Sequence, residues 1–411
     1  GGSKELKALK HRRIISSPDG YSKRVAIPGA IQMVSSGGKA VGSVWTGMMC
    51  MTYMFALMGI QSSPAFSMWS YSNKTSKAFR WQQVVASSLI IGIILFTFTI
   101  FQGMSGELLV NKGIFESVND KTLVPKLINL MSDTNPWLVG LLAVCALAAM
   151  QSTGAAYMST FSGMITRDIY RQYFKKEASE DLQKLVGRIF VVAVALAALL
   201  VAAKATQAIV MLGGLAVAYG FQMYPALMGN LYFSWFSRRG VTIGLIAGLI
   251  GVTLTDKISA VFGLPWGAYP LTIHSAGWGI FFNLLCTIGF SYLYPDSEIE
   301  MEEKKKKHQF LKTMAGVPET KRQYIPLAIG LTLFWFLVGF GPFATIGNTI
   351  FSNPNNPATW APFGLPSLWV WQFVFLAFGI FVMWFLAFFM ELSKPIAPEK
   401  VEAEYKRLFA S

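Results

Sequence analysis

Ser152 and Thr153, neighbours in the apolar run WLVGLLAVCALAAMQSTGAAYMSTFSGMITRDIY (137–170), have the side chains best placed to hold an ion. On a helix, Ala149, Ser152, Thr153, Ala156, Thr160 and Gly163 share one face at spacings of three and four. The two hydroxyls and the Ala149 carbonyl then present three oxygens to one point. A hard monovalent cation such as Na+ takes oxygen ligands, and neutral ones hold it weakly enough to let it leave. A plainer use fits the same spacing. Ser and Thr in apolar helices bond back to the carbonyl three or four residues earlier, as Thr153 to Ala149 would. Bonding to a neighbouring helix is a third use.

A second polar constellation lies in Met58-Gly59-Ile60-Gln61-Ser62-Ser63-Pro64. It has the Gly and Pro that a broken helix needs, with polar groups at the break. In 207–234, Tyr219 and Gln222 are the polar side chains nearest mid-span; they serve either a bound solute or a neighbouring helix. Other chemistry is missing. Cys50, Cys145 and Cys286 lie in apolar segments at unrelated spacings, which excludes a zinc cluster, argues against a disulfide framework and favours small buried hydrophobes. His274 falls near the outer end of a span, where an interfacial histidine needs no function, and His11 and His308 fall in loops. The methionines of 48–58 read as helix packing. No nucleophile–base pair appears, so an enzyme is not expected. No Asp, Glu, Lys or Arg stands at a span centre, which argues against a proton-relay pump.

The elements that must position these groups are membrane helices. Of 411 residues 53% are hydrophobic and 14% charged, against about a quarter charged in soluble domains. The apolar residues form blocks of about 20, enough to cross the hydrocarbon as helix. Nine spans are predicted: 43–71, 82–103, 137–165, 187–203, 207–234, 240–256, 272–294, 324–345 and 368–391. The net charge of +14 resides between the spans rather than interleaved with aromatics, so nucleic acid is not a partner. With the start outside and the C-terminus in the cytoplasm, cytoplasmic segments and the adjoining Arg188 hold 22 of the 35 Lys and Arg. That asymmetry follows the positive-inside rule; the basic 1–42 segment, placed outside, is the item that resists it.

Between the spans, 295–323 with its Lys304–Lys307 run reads as a solvated cytoplasmic loop, with a lipid-headgroup role for the lysines as an alternative. Leu123–Asp133 reads as a short amphipathic cap helix on the outer surface. Asn73-Lys74-Thr75 is a glycosylation sequon by pattern, but it is placed in the cytoplasm. Gly240, Gly244 and Gly248 line one helix face, a signal for close packing.

The segment ALAAMQSTGAAYMSTFSGMITRDIY (146–170) resembles the signature helix of the sodium:solute symporter family, whose members carry sugars, proline, pantothenate or monocarboxylates with sodium. The likeness lies in small-small-x-x-Ser-Ser/Thr, a Ser/Thr-rich turn, and Thr-x-Asp-Ile/Leu-Tyr at the cytoplasmic end. Asp181–Gly187 with Arg188 resembles the family's linker into the next span. The resemblance covers roughly residues 43–295 and is weaker over the last two spans. It implies an all-α integral membrane protein of the leucine-transporter-like five-plus-five inverted-repeat fold, with substrate and ion near mid-membrane. Residues 43–234 would be the second five-helix repeat, followed by two spans in 235–294, the charged 295–323 loop, and two spans with a tail in 324–411.

The resemblance also implies a sodium site at Ala149 (carbonyl), Ser152 and Thr153. Where some members use a hydroxyl two residues after the Ser-Ser/Thr pair for a second sodium, this chain has Ala155. Where the family's broken helix reads Gly-Gln-Pro or Gly-Leu-Pro, this chain reads Gln61-Ser62-Ser63-Pro64. Met58, Gln61, Ser62, Ser63, Tyr219 and Gln222 are the candidate substrate contacts. The expected activity is sodium-coupled import of a small polar organic solute, such as an amino acid or carboxylate, by alternating access in the bacterial inner membrane. The expected partner, besides solute and lipid, is an N-terminal half carrying the first repeat, on the same polypeptide or a separate chain. Two competing readings are the symporter-like membrane module of a sensor or regulatory protein, and a structural subunit of a membrane complex.

Overall fold

In a computed structural model of the protein, the described residues are Val25, 46–73, 79–116, 122–204, 209–262, 268–394 and 396–409. The 1–42 segment, apart from Val25, and two residues of the sequon lie outside them. Among the described residues there is no strand.

Helix α1 (Gly47–Ser62) stops at Ser63, whose backbone is extended (φ −71°, ψ 139°), and α2 (Pro64–Tyr71) resumes with proline in its first position. Pro64 has no N–H to continue the ladder but starts a helix well. Then come α3 (Phe79–Val110), α4 (Leu123–Asn129), α5 (Pro136–Phe174) and α6 (Glu180–Lys204). A second interruption follows: α7 (Ile209–Phe221) ends at Gln222-Met223, and α8 (Tyr224–Leu231) restarts with Pro225 in its first turn. The rest is α9 (Arg238–Thr255), α10 (Ser275–Leu293), α11 (Glu298–Ala315), α12 (Glu319–Phe340), α13 (Ser367–Phe389) and α14 (Pro398–Phe409). Seven of these (α3, α5, α6, α9, α10, α12 and α13) are long and apolar enough to cross a membrane. Seven of the nine predicted spans coincide with these helices, and the other two, 43–71 and 207–234, fall on the interrupted pairs α1–α2 and α7–α8.

Three segments differ from expectation. The 295–323 loop is mostly the helix α11. Ser297 caps it: its hydroxyl accepts from the Glu300 N–H at 3.4 Å, and the Glu300 carboxylate accepts from the Ser297 N–H at 3.3 Å. Such a reciprocal cap, with Glu302–Lys306 one turn apart, lets a highly charged segment be helical. The 166–186 linker, expected as a cytoplasmic loop, is also largely helical, because α5 runs on to Phe174 and α6 begins at Glu180. The cap helix is shorter than expected, and its Leu123 packs on Gly106, where a β-carbon would overlap it.

The chain forms two compact units, one of Gly1–Ser62, Asn73–Ile100 and Gly214–Ser411, the other of Ser63–Ser72 and Phe101–Gly213. In the first, α9 and α10 lie antiparallel and close. A β-carbon at Gly240 would meet Ser291 and the Thr287 carbonyl, at Gly244 Thr287 and Asn283, and at Gly248 Asn283. The glycine stripe is therefore a packing seam, as its spacing predicts. The core beside it is Ala56, Ala218, Phe221, Val252 and Ala276, from α1, α7, α9 and α10. In the second unit α5 packs on α6, and Phe66 of α2 meets the Tyr157 ring edge-on at 6.0 Å.

Charged groups dock α11 on the α8–α9 turn. Lys304 donates to the Phe236 carbonyl at 2.7 Å and pairs with Asp296; the Arg238 N–H donates to Asp296 at 2.9 Å, and the Arg238 guanidinium meets Glu300 at 2.6 Å. Burial acts to raise the Asp296 pKa, but the hydrogen bonds and charges of Lys304 and Arg238 outweigh it and hold the carboxyl below its usual value. Of the lysine run, Lys304 is thus committed to the protein. Phe310 of α11 packs against Tyr405 and Phe409 of α14.

Candidate functional site

Helices α1 and α7 meet backbone to backbone. A β-carbon on Gly220 would lie 2.8 Å from the Gly59 carbonyl oxygen, and one on Gly59 would lie 2.6 Å from the Phe221 nitrogen. Only glycine permits that approach. The crossing falls within a turn of both helix breaks, and Ser62 fastens it. Its hydroxyl is 2.9 Å from the Gly220 carbonyl and 3.3 Å from that of Gly59.

The α7–α8 break leaves backbone groups without helical partners, and in hydrocarbon such groups need others. Asn283 of α10 supplies one: its amide donates to the Gln222 carbonyl at 2.8 Å. The Asn283 side-chain oxygen accepts from Thr287 at 3.1 Å, and one turn further Ser291 accepts from the Ser237 N–H at 2.9 Å. Gln222, Asn283, Thr287, Ser291 and Ser237 are all buried. A polar seam therefore runs along α10 opposite the glycines of α9.

The structure distributes the predicted solute contacts unevenly. Met58 is half-buried against the Ala56–Phe221 core. Ser62 is buried at the crossing, and Gln222 is buried with its amide donating to the Ala218 carbonyl at 3.2 Å. The Tyr219 hydroxyl bonds to that of Thr253 at 2.7 Å. Gln61, on the same helix, has an exposed side chain. Met58, Ser62, Tyr219 and Gln222 thus gather around one crossing, three of them already bonded within the protein. Ser63 opens the second unit, and its carbonyl accepts from the N–H groups of Phe66 and Ser67, each at 3.1 Å.

In the second unit the Ser152 and Thr153 hydroxyls lie 2.9 and 3.3 Å from the Ala149 carbonyl oxygen, on an exposed face of α5. The hydroxyls donate back to the carbonyl, the plainer of the uses the spacing predicts, and each hydroxyl oxygen keeps its acceptor lone pairs.

Some polar groups near the site escape sequence reading. The α7–α8 break is one, signalled by Gly220 and Pro225. Another is Asn283, one polar residue in an apolar span. His274 departs from the interfacial expectation: it is 2% exposed. Its Nδ1 accepts from the Ala276 N–H at 3.2 Å, its own N–H donates to Thr52 at 2.9 Å, and Tyr53 and Tyr269 flank its ring. It caps α10, which accounts for its burial. Nearby, Ser275 donates to the buried Asp256 carboxylate at 2.7 Å.

Seven long apolar helices among the described residues, with two interrupted helix pairs whose Gly220 and Gln222 carbonyls take side-chain donors, define a multi-pass helical membrane protein. A family model described as the sodium:solute symporter family matches residues 22–251, and the chain belongs to that family. The family is one of transporters rather than of enzymes. The chain is 30% identical to the sodium/proline symporter of Salmonella typhimurium over 148 residues, which is 34% of this chain and 30% of that protein. It is 34% identical to the Escherichia coli sodium/proline symporter over 119 residues, 29% of this chain and 24% of the relative. The osmoregulated proline transporter of Bacillus subtilis is 28% identical over 121 residues, 29% of this chain and 25% of that one. The matched stretches thus span less than a third of each relative. No solved structure matches.

Proposed function

We propose that the protein works as a sodium-coupled symporter that imports a small polar organic solute by alternating access, with residues 43–234 as the second five-helix repeat of a leucine-transporter-like core. An amino acid or carboxylate is the solute class, and proline is the first candidate because similar proteins are named for it. The observation that carries the reading is the crossing of two broken helices at Gly59 and Gly220, since transporters of this design bind at interrupted helices. Sodium is cargo in this reading, held by the Ala149 carbonyl and the Ser152 and Thr153 hydroxyls; a first repeat, on the same polypeptide or a partner chain, completes both sites. The C-terminus faces the cytoplasm of a bacterium and the membrane is the inner one, in keeping with the lysine and arginine distribution.

The test is uptake of labelled proline, other amino acids, monocarboxylates and sugars into proteoliposomes holding the complete transporter, with and without a sodium gradient. Sodium-dependent uptake of a carboxylated solute is expected, and Thr153→Ala should raise the sodium concentration for half-maximal uptake about tenfold, the loss of one ligand. Equal uptake without sodium overturns the reading.

A further inference from the structure

The inner end of α5 carries a cavity that neither the ion site nor the helix crossing uses. It has a volume of about 640 Å³ and is lined by Ser159, Ser162, Thr166 and Arg167 of α5 and Lys184 and Arg188 of α6. No carboxylate lines it. Gly187 makes the approach possible, since a β-carbon there would lie 2.7 Å from the Ser162 hydroxyl. Lys184 has Glu180 and Asp181 at 3.8 and 3.7 Å, whereas Arg167 and Arg188 have no carboxylate within ion-pair distance among the described residues. Thr166 is 6% exposed, and its hydroxyl has no hydrogen-bond partner. A buried donor left unsatisfied beside two uncompensated guanidinium groups is chemistry set for an anion.

The position is informative too. Ser152, Ser159 and Thr166 are spaced by sevens, so their hydroxyls lie two turns apart along one face of α5. That face leads from the Ser152–Thr153 pair to the cavity. The cavity has room for a small organic molecule rather than an inorganic ion alone.

We propose that this cavity is the inner vestibule of the transport path and binds the solute through its carboxylate, with Arg167 and Arg188 as counter-ions and Thr166 as a hydrogen-bond donor. The assignment rests on the transport reading and narrows its solute to carboxylated molecules. Two guanidinium groups repel sodium, so ion and solute part company here.

The test uses the full protein in detergent with Cys50, Cys145 and Cys286 replaced by alanine and Ser159→Cys as the reporter. The rate of maleimide labelling is measured with L-proline, L-alanine, acetate, L-prolinamide or phosphatidylglycerol vesicles. The carboxylates, unlike the amide, should slow labelling. Arg167→Gln with Arg188→Gln should raise the concentration needed for protection about tenfold or more, with Arg188→Lys retaining part of it. An unchanged labelling rate without ligand shows that the variants are folded. Equal protection by prolinamide, or protection undiminished without both arginines, overturns the proposal. Protection by the vesicles and by none of the carboxylates overturns it in favour of a lipid-headgroup site. Labelling needs neither sodium nor uptake. Uptake without protection therefore defeats the vestibule alone, whereas protection without uptake defeats the transport reading, and the vestibule with it, and leaves a carboxylate-binding site.

Discussion

The Ser62 hydroxyl bonds to the Gly220 carbonyl at 2.9 Å, joining residues 158 apart in sequence at the point where two interrupted helices cross. Each helix ends within a few residues of this bond, so one contact orders two chain breaks. The Gly220 carbonyl accepts from the Met223 N–H at 3.1 Å in its own turn, and the Ser62 hydroxyl of the other broken helix is its second donor.

Gly220→Ala would place a methyl carbon against the Gly59 carbonyl oxygen. Forcing those backbones apart should cost about 1–3 kcal/mol, read as a lower melting temperature of the purified protein. Ser62→Ala removes one hydrogen bond and should cost about 1 kcal/mol or less. The ranking of the two variants is the informative result, because a fold without this crossing predicts no difference.

Asn283→Ala leaves the Gln222 carbonyl without its donor. The expected loss is about 1–2 kcal/mol, and Asn283→Leu should be no milder, since its bulk would press on Gly244 and Gly248. Amide exchange at Gln222 and Met223, followed by mass spectrometry, should accelerate in both variants while α13 is unaffected.

Docking of α11 should weaken in acid. The folded-state pKa of Asp296 is lowered, so its contribution is fully present above the unfolded value of ~3.9 and fades as pH falls through the folded value. Limited proteolysis within 298–315 should therefore be slow at neutral pH and quicken below about pH 4. Asp296→Asn should show the fast rate at neutral pH and little further change in acid.

Separating the two uses of the signature hydroxyls needs a variant pair. Thr153→Ser keeps the oxygen and should leave the sodium dependence of uptake within about twofold of the parent, whereas Thr153→Val keeps the shape and should shift it about tenfold. Equal behaviour of Ser and Val at 153 would reduce the hydroxyl to a back-bond on Ala149.

Where sequence carried a physical constraint of its own, it was readable. Ser63-Pro64 forbids a continuous helix, and the chain breaks there; glycines at 240, 244 and 248 require a close partner, and α10 is that partner. Ala149, Ser152 and Thr153 are three and four apart, and both hydroxyls bond back to the Ala149 carbonyl. Other features depend on residues far away in the chain. Gly59 meets Gly220 only because α1 and α7 cross, and Asn283 looks like an isolated polar residue until the Gln222 carbonyl comes into its reach. The helix α11 was hidden for a different reason. Its charges read as a solvated loop, and only the Ser297–Glu300 box marks where it starts.

At Gly59 and Gly220 the closest approach of two helices is set by backbone against backbone, with the Ala56, Ala218 and Phe221 side chains packed beside it. A contact of that kind fixes how far apart the two axes lie and leaves no slack for an added methyl group. Any separation of α1 from α7 has to break the Ser62 bond and open that small core together.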